Sequence, residues 1–285
     1  MKTLISLVLF ATMLISGYVQ ERFGQDNPVP PSSEQPTVDV SPSPEVTPEV
    51  PPAVTETPEP TPEATPEPIP TPEPYDYTQP VAQSEPVDDA WFADAVLIGD
   101  SRTDGLRLYS GIRGVDFLCY KGLTVSDVMG DKPVIQTADG KIGVLQALAQ
   151  KQYGKVYLSL GLNELGYNDD PLFYATYRAV VDKIRELQPD ADIYLQMIIP
   201  VSTQRCQETN QPAYISNHQV AVYNDMIREI AAEKRVYLLN VGEIYTDENG
   251  ELIYELTSDG VHFRKSGYKQ WYEYLKAHTV REDEQ

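Results

Sequence analysis

The chain has 285 residues, with 43 acidic and 22 basic side chains, a net charge of −21, 24 prolines and two cysteines. An acidic excess without a basic patch argues against nucleic-acid binding. Three histidines with no clustered Cys/His spacing argue against a metal site.

Composition divides the chain into three parts. Met1 and Lys2 open a short apolar run that continues through Val19. That is the pattern of a secretory signal peptide, and it is short for a spanning helix of about 20 residues. Residues 1–26 are therefore read as a cleaved signal, with an uncleaved membrane anchor as the alternative. Between Asp26 and Asp89 lie 14 acidic residues and no basic one, together with 19 of the prolines. A degenerate repeat, as in Thr57-Pro-Glu-Pro-Thr-Pro-Glu63, fills this stretch. Proline forbids helix and sheet there, and so few apolar groups cannot offset the entropy of ordering. Residues 27–89 are expected to be a disordered Pro/Glu/Thr-rich linker, a solvated stalk for a folded domain.

From residue 90 to 285 the pattern changes to that of one folded domain. Short apolar runs predict strands at about 95–99, 116–120, 155–160, 192–198 and 236–240. Helical stripes separate them: Phe173, Tyr177, Val180, Ile184 and Leu187; then Val220, Tyr223, Ile227 and Ile230; then Tyr268, Trp271, Tyr272 and Leu275. Their aromatics read as core. Asp139-Gly140 between short apolar runs predicts a hairpin, followed by a helix at about 144–151. Strand and helix in alternation imply an α/β fold, a three-layer doubly wound parallel sheet. Cys119 sits in an apolar run and reads as a buried small hydrophobe, and whether it pairs with Cys206 is left open.

Four stretches carry chemistry. Ala95-Val-Leu-Ile-Gly-Asp-Ser101 places a serine between a buried strand and the start of a helix, at the carboxyl end of the sheet, where open α/β folds bind ligands. Free backbone N–H groups at that helix start suit a developing oxyanion. Gly122 follows the second strand, and Gly161-Leu-Asn163-Glu164 the third. Ser258-Asp259-Gly-Val-His262 leads into the last helix. Asp100 reads as a turn stabiliser, Arg102 as a solvated residue of the helix start, and Glu164 as a residue outside the chemistry. His218 and His278 sit in helical contexts that suggest no reaction.

In this order the four stretches resemble the SGNH (or GDSL) hydrolase family, over roughly residues 90 to 278. The resemblance implies a flavodoxin-like sheet of five strands in the order 2-1-3-4-5. It matches Ser101 to the nucleophile, His262 to the base and Asp259 to the orienter of that base. Ser101, Gly122 and Asn163 match the oxyanion-hole donors. No metal or organic cofactor is implied. The expected activity is hydrolysis of small-molecule or polysaccharide esters, short acyl and carbohydrate O-acetyl groups among them, outside the cell or at its surface. In the alternative of an uncleaved N-terminus, attachment would be to membrane or cell wall. The rivals are an O-acyltransferase on cell-wall polysaccharide and an inactive surface binding module.

Overall fold

The computed structural model describes residues 75–281; the signal or anchor segment and the linker as far as residue 74 lie outside them. Strand β1 (Ala95–Gly99) runs into helix α1 (Ser101–Tyr109), and β2 (Asp116–Cys119) leads through a loop to α2 (Val125–Met129). The Asp139-Gly140 pair turns a hairpin of β3 (Ile135–Thr137) and β4 (Gly140–Ile142), ahead of α3 (Val144–Leu148). Then come β5 (Lys155–Ser159), a 3-10 turn (Leu162–Glu164), α4 (Asp170–Leu187) and β6 (Asp192–Gln196). Helices α5 (Thr203–Glu208) and α6 (Asn217–Lys234), strand β7 (Tyr237–Leu239) and helix α7 (Lys265–Ala277) complete the chain.

The main sheet is parallel, in the order β2-β1-β5-β6-β7, which is 2-1-3-4-5 once the hairpin is set aside. Its strands are apolar without alternation because both faces are covered. Val96 and Ile98 of β1 join a core with α2, α3, α4 and α6, while Ala95 and Leu97 join another with α1 and α7. The expected stripes face these cores. Phe173 and Tyr223 stack at 3.9 Å and lock α4 to α6, and Trp271 and Leu275 seat α7. Tyr157, Tyr194 and Tyr237 form a ladder across β5, β6 and β7. Among the described residues no helix is long and apolar enough to cross a membrane.

One boundary differs from the expectation. Residues 75–89, assigned by composition to the linker, lie against the domain. Tyr75 and Tyr77 pack on Tyr237, Val81 is 5% exposed, and the Val81 N–H donates to the Leu238 carbonyl at 2.8 Å. Ser84 and Val87 donate to Ala277 and Lys276 at the end of α7. The reason lies in β7, whose outer edge would otherwise be unpaired. Aromatic residues return to the sequence at Tyr75, and Pro80 beside that edge is in a place proline tolerates.

Candidate active site

The turn between β1 and α1 is tight. A Cβ on Gly99 would sit 2.0 Å from Thr103 Oγ1 and 2.7 Å from the Ser159 carbonyl, so no other residue fits. Asp100 then caps α1 by accepting the Arg102 N–H at 2.8 Å, and this puts Ser101 on the first turn with its hydroxyl at the sheet's carboxyl edge. His262 arrives from the loop before α7. Its Nε2 lies 2.8 Å from Ser101 Oγ, and its Nδ1 lies 2.7 Å from Asp259 Oδ2. Serine, imidazole and carboxylate thus form one hydrogen-bonded chain. In it the hydroxyl can donate to a neutral ring nitrogen while the other ring N–H donates to the carboxylate.

Asp259 uses both oxygens. Oδ1 accepts the backbone N–H groups of Val261 and His262 at 2.8 and 2.7 Å. Partial burial pushes its pKa up, but these bonds and the His262 ring outweigh it and hold the carboxyl well below the usual range. Thr257, which the sequence did not single out, builds the loop. Its hydroxyl accepts the Gly260 N–H at 2.9 Å and donates to the His262 carbonyl at 2.7 Å. Gly260 has φ +89°, and a Cβ there would meet the Cys206 backbone. Cys119 and Cys206 are both free, and burial pushes the Cys119 thiol up to about 11.

Arg102 corrects the sequence reading. It is 3% exposed, and its guanidinium donates to the Val261, Ile199 and Pro200 carbonyls, at 2.9 Å for the first. It ties the start of α1 to the loop that carries His262. No local signal marks this, because an arginine on a helix start reads as solvated until tertiary packing closes over it.

The two further candidates lie on either side of the serine. Gly122 has φ +77° with open space where a Cβ would be, so the backbone conformation is what favours glycine. Its N–H takes no partner among the described residues. Asn163 Nδ2 donates to Asp100 Oδ2 and to the Leu123 carbonyl, each at 3.1 Å, so both amide hydrogens are engaged. Ser101 and His262 border two clefts. One, of about 440 Å³, is lined by Gly122, Leu108, Tyr109 and Tyr268. The other, of about 250 Å³, is lined by Asn163, Leu162, Tyr214 and Ile215. Among the described residues no three His, Cys, Asp or Glu side chains converge to hold a metal ion.

The sheet order and its flanking helices have the α/β architecture of an acyl-ester hydrolase. The chain belongs to the GDSL-like lipase/acylhydrolase family, whose model matches residues 97–270. A solved Streptococcus pneumoniae protein described as a platelet activating factor is similar in fold. It has a TM-score of 0.52 at 24% identity, over 64% of this chain and 82% of that one. A GDSL-like lipase from Bacteroides thetaiotaomicron gives 0.46 at 15% identity, over 67% and 90% of the two chains. An acetyl xylan esterase gives 0.44 at 18%, over 64% and 97%. No curated protein matches the chain.

Proposed function

We propose that the protein is an exported serine esterase of the SGNH type, acting on short acyl esters such as O-acetyl groups of carbohydrate. The observation that carries this reading is the chain Ser101–His262–Asp259, with its links of 2.8 and 2.7 Å. Ser101 Oγ attacks the ester carbonyl as its proton passes to His262 Nε2. The oxyanion forms against the N–H groups of Ser101 and Gly122 and the Asn163 amide, which turns one hydrogen from the Leu123 carbonyl to the new charge. The tetrahedral intermediate expels the alcohol, which takes the proton back from His262. Water, deprotonated by the same ring, then attacks the acyl-enzyme and releases the acid and free Ser101. Asp259 holds the ring and balances its transient positive charge.

The two clefts support the substrate class. The smaller, with Leu162 and Ile215, suits a short acyl group, and the larger presents the exposed Tyr109 to a sugar ring. The His262 side chain is 40% exposed, which lets water reach the ring beside an acyl-enzyme. The signal-like start at Met1-Lys2 and the acidic Pro-rich stretch after it support display outside the cell, on a stalk. An active-site-directed serine reagent, with p-nitrophenyl esters of increasing chain length, tests the reading. Labelling at Ser101 and turnover of the acetate, both abolished in Ser101→Ala, are expected. An unlabelled, inactive protein would make it a binding module instead.

A further inference from the structure

Glu164 is a buried carboxyl that neither the Ser101–His262–Asp259 chain nor the two clefts use. It ends the 3-10 turn one residue after Asn163 and is 1% exposed. Oε1 accepts the Val125 N–H at 2.6 Å, and Oε2 has no partner among the described residues. Its backbone is fixed independently, since the Glu164 carbonyl accepts the Tyr223 hydroxyl at 3.1 Å and the Tyr167 N–H at 2.9 Å. A carboxyl so placed is costly, and an apolar side chain would serve a core better.

The sheet supplies the reason for the cost. Asn163 follows β5 and Gly122 follows β2, but β1 lies between these strands, so no ladder sets the spacing of the two donors. Side chains set it instead. Asn163 grips the loop after Gly122 at the Leu123 carbonyl, and Glu164 grips the same loop at the Val125 N–H. During reaction Asn163 must give up part of its grip to reach the oxyanion, and Glu164 has no such second duty. The geometry points to Glu164 as a positioning residue for the oxyanion hole: its bond to Val125 holds the Gly122 N–H in place relative to the Asn163 amide. This rests on the esterase reading.

Burial pushes the Glu164 acid up to about 8; the Val125 bond opposes this, and the carboxyls of Asp100, from the β1–α1 turn, and Asp127, from α2, add to it. The phenols of Tyr177 on α4 and Tyr223 on α6 also face it. Ionisation above that pH would place a second negative charge near Asp100 and the nascent oxyanion. Wild-type kcat is therefore expected to fall above about pH 8.

Three variants test the proposal at temperatures below their melting points. Glu164→Ala should lower kcat by about 10- to 100-fold with KM within about twofold, the loss expected for one misplaced donor. Glu164→Gln keeps an acceptor for Val125, so it should restore most of that loss, and its activity should not fall on the alkaline side. Val125→Pro removes the donor without touching Glu164. It occupies the first helical position after an extended Thr124 (φ −117°, ψ 162°), where proline is tolerated. It should reproduce the Glu164→Ala defect, and the double variant should be little worse than either. Wild-type kcat in Glu164→Ala or Val125→Pro, or losses that multiply, would overturn the proposal while leaving the esterase reading intact. Turnover that survives in Ser101→Ala would overturn both.

Discussion

At the scale of single residues, Asp259 shows how one side chain both builds a loop and faces a reactive ring. Its folded pKa is depressed below the ordinary value of 3.8. A depressed carboxyl contributes stability that is present above the unfolded value and lost as pH falls through the folded one. Asp259→Asn should therefore melt about 3 °C lower at pH 7, on the order of 1 kcal/mol after allowance for partial exposure. Its stability should also change less than the wild type's as pH falls below about 4. Thermal melts across that range check this, and parallel acid limbs would show that the carboxylate is not held. Asp259 and His262 could be read in the sequence because three residues of loop suffice to bring them together. Arg102, Thr257 and Glu164 could not. Arg102 and Glu164 work through backbone groups far away in sequence, Ile199 for the first and Val125 for the second, and Thr257 through a loop whose shape no local pattern shows.

At the scale of elements, the segment 75–89 acts as the cover of the β7 edge. Val81 buries its side chain, and Tyr75 and Tyr77 extend the tyrosine ladder. Together these are worth about 3 kcal/mol. A chain shortened to begin at Ser84 should consequently melt about 6 °C or more below one that begins at Tyr75. The shorter chain should also associate more readily through its open edge. Equal melting points would show that the edge needs no cover. The repeat of Thr-Pro-Glu made the linker plain in the sequence, but its end was not. Tyr75, Tyr77 and Val81 are too few and too widely spaced to show a strand or helix period, and only the sheet edge gives them a surface.

At the scale of the whole molecule, the sheet divides the labour. The helices bury both faces, and the carboxyl edge gathers three separated loops around Ser101. Residues 27–74 are rich in Pro, Glu and Thr and poor in large apolar side chains. Deleting them while keeping 75–285 should leave kcat/KM on a small soluble ester unchanged. A steady-state comparison with the full chain tests this, and a loss above about threefold would give the stretch a part in the site.

The sequence by itself determined the alternation of strand and helix, because burial on both faces of a parallel sheet demands unbroken apolar runs and 3.6-period stripes. It also placed Ser101 where a strand turns into a helix, and Asp259 and His262 on one loop, since Gly-Asp-Ser and Asp-x-x-His are local patterns. Only the tertiary structure decided how the donors around Ser101 are held. Asn163 and Gly122 follow strands that do not touch, and Asp100, Leu123 and Val125 become their neighbours through β1 and the Glu164 bridge. A linear pattern records which residues can donate or accept a hydrogen bond. Which distant partner each one meets is fixed only when the sheet order brings the loops together.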